Sequence, residues 1–311
     1  MITKSFFIKT FKFVGLHYLY IAFGLLILIS SIVSPYFLTI QNIRNLLLQN
    51  CVISIVSMGM LLVIILRGID LSVGSIVALA GSLASGFIVG WNPYLVILVV
   101  FLLMALVGSF NGILITYRGI SPFITTLAMM TIIRGIAYIY QVGEVRVIYN
   151  MSFVNILAGN LGPVPIPVLT MVIIGVILII VLRKTIFGRY IYAIGGSPES
   201  VYLAGINVKA IIIVSYAICS SLAGLAGLIL SARLRAGSAV VGSGWELDAI
   251  SAVIIGGAPL SGGRGSIINT IIGAFIIGIM NNLLNLLGVS TYSQMIVKGA
   301  IIIIAVMLQK E

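Results

Sequence analysis

Two long apolar stretches flank a polar, basic segment in the middle of the chain. Residues 165–182 read PIPVLTMVIIGVILIIVL, residues 183–208 read RKTIFGRYIYAIGGSPESVYLAGINV, and residues 208–231 read VKAIIIVSYAICSSLAGLAGLILS. A helix needs about 20 apolar residues to cross the hydrocarbon core of a bilayer. The sequence therefore predicts two membrane-spanning helices joined by a segment that lies in water.

The same apolar pattern recurs along the whole chain. With Gly, Pro and charged residues as boundaries, we predict ten spans, at approximately 16–34, 46–66, 72–91, 94–117, 121–140, 165–182, 208–231, 244–258, 266–287 and 290–308. Of the 311 residues, 61% are hydrophobic and 7% are charged, with a mean hydropathy of +1.29. A soluble domain carries roughly 25% charged residues, so we predict an all-α polytopic membrane protein with a single transmembrane domain, residues 1–311.

The basic residues set an orientation for these spans. The net charge is +11, and most of it falls in short loops, where it reports membrane topology rather than nucleic-acid binding. If the N-terminus with Lys4, Lys9 and Lys12 is cytoplasmic, a second group of basic residues is cytoplasmic too: Arg67, Arg118, Arg183, Lys184, Arg189, Lys209, Arg264 and Lys310. Arg44, Arg146, Arg233 and Arg235 then lie outside. We expect an inner-membrane protein with both termini cytoplasmic and an uncleaved first helix, since no small-residue cleavage site follows it.

Two details refine this scheme. Ser243 and Glu246 have the spacing of a capping box, which predicts that the short eighth span begins near Gly244. The run 108–114, GSFNGIL, resembles 278–284, GIMNNLL, and the two fall in the fourth and ninth spans. These spans run in opposite directions, as the halves of an inverted repeat do.

Several chemistries are not supported by the sequence. It contains no phosphate-binding GxxxxGK[ST] loop and no HExxH or GxSxG motif, and its one histidine is His17. Cys51 and Cys219 lie in apolar runs and are interpreted as buried thiols, so we expect neither a metal nor a cofactor. All six acidic residues fall at predicted helix ends or in loops, which argues against proton or sodium coupling. Energy for uphill transport would have to come from another protein.

The water-exposed segment contains a helix of its own. Ser197-Pro198-Glu199 has the pattern of an N-cap, a first-turn proline and an acid at the positive helix end, and Gly205 is a stop signal. The spacing predicts a helix over 198–204. Such a helix can dock on a motor subunit or rest on lipid headgroups, and the spacing favours neither.

Long motifs in the chain resemble the ribose-type ABC transporter permeases, in the branched-chain amino acid/ribose/xylose permease family. The matching runs are Phe187-Gly188-Arg189-Tyr190 to Gly195-Gly196, Gly205-Ile206-Asn207-Val208, Gly68-Ile69-Asp70-Leu71-Ser72-Val73-Gly74-Ser75, Glu246-Leu247-Asp248-Ala249-Ile250, Gly262-Gly263-Arg264-Gly265 and Asn285 to Lys298. The resemblance covers nearly the whole chain and is greatest to the ribose branch. It implies a ten-helix fold similar to that of vitamin B12 permeases. It also implies a permease dimer, two ATP-binding subunits or one fused double subunit, and a periplasmic or lipid-anchored sugar-binding protein.

The resemblance and the residue chemistry together assign candidate sites. Coupling to the ATP-binding subunit is expected at Gly188, Arg189, Pro198, Glu199, Val201, Tyr202, Leu203, Gly205 and Asn207, with Val201 and Leu203 carrying the docking energy. Asn111, Asn281, Asn282 and Asn285 are candidates for the sugar path, with helix–helix hydrogen bonding as the alternative. Arg233 and Arg235 are candidates for contact with the binding protein, with an exposed charged loop as the alternative. Arg134 and Lys298 have two alternative roles, structural pairing with another group or gating. Lys298 is expected to pair with Asp248.

We expect a permease subunit of an ATP-driven, binding-protein-dependent sugar importer, without enzymatic activity of its own. Ribose is the favoured sugar, and xylose, galactose or an autoinducer sugar are alternatives within the family. A stand-alone secondary sugar transporter or a passive facilitator is the rival function. A membrane-embedded enzyme is the weakest rival, because no catalytic set is present in the sequence.

Overall fold

A computed structural model describes residues 19–308. Its helices, in chain order, are α1 (Leu19–Val33), α2 (Ile40–Ile65), α3 (Val73–Phe87), α4 (Pro93–Arg118), α5 (Pro122–Gln141), α6 (Met151–Ala158), α7 (Ile166–Lys184), α8 (Ile186–Gly196), α9 (Pro198–Leu203), α10 (Val208–Leu234), α11 (Trp245–Ile255), α12 (Ile267–Leu286) and α13 (Thr291–Leu308). Four two-residue strands form two antiparallel pairs: β1 (Arg146–Val147) with β4 (Ala236–Gly237), and β2 (Asn160–Leu161) with β3 (Val164–Pro165). The expected uncleaved start of the first span, with its three lysines and His17, lies outside the described residues.

The fold is that of a multi-pass helical membrane protein. Among the described helices, α2, α4, α5, α7, α10 and α12 are long and apolar enough to cross a membrane, and α1 and α3 are shorter apolar helices. Much of α4, α5 and α7 faces outward with large apolar side chains, among them Leu98, Leu106 and Ile177. Because a surface of this kind is stable only against lipid or protein, the bilayer is its natural solvent.

The centre of the bundle is formed by α2 and α10. Every residue from Ser54 to Leu66 in the second half of α2 is buried, so this part of the helix has no lipid-facing side. Helix α10 packs against α2, α3 and α4, while α2 also packs against α7, α11 and α12. These two helices thus connect the two halves of the chain.

Small residues allow α10 to approach its neighbours closely. A Cβ atom at Gly108 of α4 would overlap the carbonyl oxygen of Tyr216, and a Cβ atom at Gly227 of α10 would overlap that of Val77. A side chain at Gly224 would collide with Met104. Small residues at these positions therefore permit the close backbone approach that is typical of helices packed in membranes.

The bundle has two ends that differ in composition. The α9 end consists of the C-terminus of α2, the helices α8 and α9, and the α11–α12 loop, residues 256–265. The far end contains the C-terminus of α10 and the β1–β4 pair. The helix directions place Arg67, Arg118, Arg183, Lys184, Arg189, Lys209 and Arg264 at the α9 end.

Helix α11 begins next to Gly244, as predicted, but it is capped differently from the prediction. Its N-cap is Gly244, with φ of 80°, and no side chain in the described part of the chain caps the helix. The hydroxyl of Ser243 instead donates to the carbonyl of Val240 at 3.2 Å. The predicted capping box of Ser243 and Glu246 is therefore wrong, because a left-handed glycine turns the chain between Ser243 and the helix. The helix spans Trp245–Ile255, about 16 Å at 1.5 Å per residue, so it crosses only part of a bilayer.

Candidate functional site

Helices α8 and α9 form an exposed cap on the α9 end. The hydroxyl of Thr185 accepts from the Gly188 amide at 3.2 Å, and the hydroxyl of Ser197 accepts from the Ser200 amide at 3.3 Å. Pro198 occupies the first turn of α9, and Gly205, with φ of 80°, follows its end. The helix predicted over 198–204 is thus present as Pro198–Leu203.

The residues predicted for coupling differ in their exposure. Those open to solvent are Arg189, Pro198, Glu199, Tyr202, Leu203, Gly205 and Asn207. Tyr202 is 70% exposed and Leu203 is 77% exposed, whereas Val201 is only 7% exposed. Val201 packs against the protein's own core, so the expectation that it carries docking energy is wrong. Tyr202 and Leu203 are the apolar side chains that α9 offers to a partner.

Two coupling candidates have local structural roles. Gly188 is buried in the turn between α7 and α8, where a Cβ atom would overlap the carbonyl oxygens of Val181 and Leu182. Asn207 caps α10, its side-chain oxygen accepting from the Ala210 amide at 3.1 Å. Both residues therefore fix the direction in which the α8–α9 segment leaves the bundle and returns to it.

A polar cavity of about 310 Å³ opens between α2, α10, α11, α12 and α13 toward the far end. This volume lies within the range typical of small-molecule pockets, roughly 300–1,000 Å³. Its polar lining consists of Gln49, Asn50, Arg233, Trp245, Asp248, Asn281, Asn285, Gln294 and Lys298. Neutral amides form most of this lining, which suits a ligand that has hydroxyl groups and no charge.

The four predicted path asparagines fall into two groups. Asn281 and Asn285 line the cavity, and the buried side-chain oxygen of Asn281 has no hydrogen-bond partner among the residues that the structure describes. Asn282 instead exchanges two hydrogen bonds with Asn42, at 2.8 and 3.0 Å. Asn282 therefore fits the alternative interpretation of helix–helix bonding.

Asn111 lies away from the cavity in a separate buried network. Its amide donates to the Ser72 hydroxyl at 3.1 Å, and the Ser72 amide and hydroxyl both donate to the carboxylate of Asp70. Asp70 is completely buried, and its other oxygen lies 3.5 Å from the Ser220 hydroxyl, midway along α10. Asp70 therefore lies in a loop between two helices, as predicted, but this loop is buried inside the bundle.

The two arginines expected to meet a binding protein differ in their surroundings. Arg233 is partly buried, donates to the Leu48 carbonyl of α2 at 2.8 Å, and lines the cavity. Arg235 is exposed at the end of α10, and its carbonyl accepts from the Ile148 amide at 2.8 Å. Only the side chain of Arg235 is free to reach a protein docked on the far end.

The two charges predicted to lie deepest in spans both have partners. The Lys298 ammonium lies 3.0 Å from the Asp248 carboxylate, as expected from the sequence, and both line the cavity. Arg134 donates to the carbonyls of Ala239 and Val241 at 2.6 and 2.7 Å, which holds the loop between α10 and α11. The expected pair of Lys298 with Asp248 is confirmed, and Arg134 is held by two backbone carbonyls.

Sequence reasoning missed part of the cavity lining. Gln49, Asn50, Trp245 and Gln294 were not singled out, because nothing in the sequence around them shows which helix face lines a cavity. A usable signal existed in α12 and α13: Asn281 and Asn285, and likewise Gln294 and Lys298, are four residues apart and so share a helix face. Within residues 19–308, no cluster of His, Cys, Asp or Glu can hold a metal ion, and the two cysteines are buried and free.

Comparison with known proteins identifies related sequences over most of the chain. Residues 42–306 match the family described as branched-chain amino acid transport system / permease component. The ribose import permease protein RbsC of Bacillus subtilis strain 168 is 44% identical over 290 residues, covering 92% of this chain and 90% of that protein. The ribose import permease protein RbsC of Escherichia coli K12 is 43% identical, covering 94% and 92%. The D-allose transport system permease protein AlsC of the same strain is 39% identical, covering 92% and 89%. No solved structure is significantly similar to the chain.

Proposed function

Because the chain belongs to the family of branched-chain amino acid transport permease components, we propose that it is the membrane-spanning subunit of an ATP-driven ribose importer. The observation that carries the proposal is the identity of 41–44% to several ribose import permease proteins over more than nine-tenths of the chain. ATP hydrolysis belongs to a separate subunit, since the sequence has no phosphate-binding loop of its own.

The two ends of the bundle supply the two halves of this function. At the α9 end, Tyr202 and Leu203 project from a short helix that is surrounded by basic residues, as expected of a cytoplasmic surface. At the far end, the amide-lined cavity receives a neutral sugar from a binding protein. In this scheme, closure of the ATP-binding subunits moves α9, and the cavity changes from facing outward to facing inward.

The chain has the elements of an inverted repeat. Helix α2 is long and buried and is followed by the short α3, then by α4 and α5. Helix α10 is equally long and is followed by the short α11, then by α12 and α13. Helices α4 and α12, which contain the similar GSFNGIL and GIMNNLL runs, point in opposite directions. This pattern supports a repeat of the kind found in transporters, a ten-span topology with cytoplasmic termini, and likeness to the vitamin B12-type permeases.

The proposed assembly contains four kinds of contact. Two copies of this chain form a dimer in the inner membrane, two ATP-binding subunits or one fused double subunit dock on α9, and a periplasmic or lipid-anchored sugar-binding protein docks on the far end through Arg235. Lipid covers the remaining apolar surface.

A secondary transporter is the second candidate, and one observation favours it. The completely buried Asp70 is an acid of the kind that proton-coupled carriers use. Its oxygens accept hydrogen bonds from Ser72 and Ser220, however, which gives it a structural role at the start of α3. We therefore rank this function below the ATP-driven importer.

A substrate panel tests the proposed sugar. The chain, its ATP-binding subunit and its sugar-binding protein are reconstituted in liposomes, and uptake of labelled ribose, allose, xylose and leucine is compared. The proposal predicts that ribose is taken up fastest. Faster uptake of allose or xylose would change the sugar, and uptake of leucine alone would contradict the sugar-importer assignment.

A further inference from the structure

Three separate segments meet backbone to backbone at the α9 end. The Gly263 amide of the α11–α12 loop donates to the Ile65 carbonyl at the end of α2, at 2.9 Å. Gly195, near the end of α8, packs on both: a Cβ atom there would overlap the Ile65 carbonyl oxygen and lie 2.5 Å from the Gly263 nitrogen. We call Ile65, Gly195 and Gly263 the junction.

Arg67 clamps this junction from the α2–α3 loop. Its Nε donates to the Gly195 carbonyl at 2.7 Å, and its Nη2 donates to the Gly196 carbonyl. These are two of the last carbonyls of α8, where the helix dipole favours a cation. A Cβ atom at Gly262 would lie 2.5 Å from Cγ of Arg67, so the arginine stem also packs on the α11–α12 loop.

A hydrogen bond also joins α8 directly to the α11–α12 loop. The Tyr192 hydroxyl donates to the Gly265 carbonyl at 2.9 Å. Burial raises the pKa of Tyr192, against a smaller opposing effect of Arg183, so the phenol stays protonated and remains a donor at neutral pH. The end of α8 is thus held against the α11–α12 loop by this bond and by the close packing of Gly195 on Gly263.

The junction lies between the two proposed functional ends. Ser197, the N-cap of α9, follows Gly196 directly, so α9 begins at Pro198, two residues beyond the clamp. The helices that leave the junction are α2, α11 and α12, and their other halves line the cavity through Asn50, Trp245 and Asn281. Helix α2 also packs against α11 and α12. One continuous set of packed helices therefore connects α9 with the cavity.

We propose that Gly195, Gly263 and Arg67 are positioning residues for transport: they make α2 and the α11–α12 pair follow the displacement of α9. The inference rests on the proposed function, since it assumes that a motor subunit moves α9. The glycines permit the close contact, and Arg67 holds it. Nothing in the junction contacts sugar, so its role is to link ATP hydrolysis with movement of the cavity walls.

The test is the number of sugar molecules taken up per ATP hydrolysed in the reconstituted complex. Gly195→Ala adds one methyl group inside the junction. We expect this variant to assemble and hydrolyse ATP at a rate near that of the natural protein, while uptake per ATP falls about tenfold, the scale of a typical coupling free energy between sites. Gly196→Ala is the matched control, because a Cβ atom at Gly196 meets nothing within 4 Å. It should leave the ratio unchanged.

Arg67→Ala keeps the inference testable should Gly195→Ala fail to assemble. It adds no bulk and removes the two bonds to the end of α8, so it should lower uptake per ATP severalfold with an intact complex. If either variant assembles and takes up as many sugar molecules per ATP as the natural protein, the junction inference is wrong. The proposed importer function would not be affected by that result. Failure of the natural complex itself to couple uptake to ATP would instead refute the proposed function.

Discussion

The exposed leucine of α9 allows the docking energy of the ATP-binding subunit to be estimated. Leu203→Ala removes three carbon atoms, worth about 0.8 kcal/mol each when buried, or ~2.4 kcal/mol in total. Leu203 is 77% exposed in the free chain, so docking can bury at most this fraction, about 1.8 kcal/mol. At 1.4 kcal/mol per factor of ten, each docked α9 should bind about 20-fold more weakly.

The measurement is a titration of labelled ATP-binding subunit onto the permease in nanodiscs. Leu161→Ala is the control, because Leu161 is 66% exposed in β2 at the opposite end of the bundle. The ATP-binding subunit should bind the Leu161→Ala variant with the same affinity as the natural chain. An affinity for Leu203→Ala within twofold of the natural value would show that α9 does not carry the docking surface.

Three further predictions concern the far end. Asn281→Leu should slow ribose uptake in the reconstituted importer at least fivefold, because a cavity amide is lost. Asn282→Leu should mainly lower the melting temperature, since the bonds of Asn282 with Asn42 contribute on the order of 1 kcal/mol. Equal uptake defects in the two variants would contradict this division. Lys298→Met should lower the melting temperature by leaving the Asp248 carboxylate without its cation. The double variant with Asp248→Asn should be more stable than Lys298→Met alone. If the effects of the two single substitutions on thermal unfolding were strictly additive, the pair would not be a stabilising contact. Arg235→Glu should raise the binding-protein concentration for half-maximal uptake, more strongly at low salt, and a salt-independent or absent effect would place the docking surface elsewhere.

Local signals in the sequence predicted α9 closely. Ser197, Pro198 and Gly205 are within a few residues of each other, and each acts through its own backbone conformation or nearest amides. Such signals are independent of tertiary packing, so the helix follows from them directly. The mostly helical, apolar character of the chain follows for a similar reason, because hydropathy is a property of single residues.

The features that failed depend on tertiary structure. The Ser243 capping pattern is sound locally, but Gly244 adopts a left-handed conformation because the chain turns from α10 into α11 there. Asp70 was correctly placed in a loop, but the sequence did not show that this loop is buried in the bundle beside Ser220. Val201 and Leu203 are both apolar residues of α9, and the sequence does not distinguish them. Only the packing of α9 on the rest of the protein shows that Val201 is buried and Leu203 is exposed.

The cavity could be predicted only in part. Its lining comes from five helices that are distant in sequence, and single polar residues such as Gln49 and Trp245 carry no local mark of their position. Asn281 and Asn285 were found because amides are costly in apolar helices wherever they point. Distinguishing them from Asn282 requires knowledge of which face of α12 meets Asn42.

Energy coupling of ribose uptake tests the central claim most directly. Proteoliposomes contain this chain with its ATP-binding subunit and enclosed ATP, and sugar-binding protein is added outside. Uptake of labelled ribose is then measured with and without each component, and with an imposed proton gradient. The importer predicts uptake that requires both ATP and the binding protein and does not respond to the gradient. Uptake that proceeds without ATP, or that follows the proton gradient and is abolished by Asp70→Asn, would contradict it and would identify a facilitator or a secondary transporter.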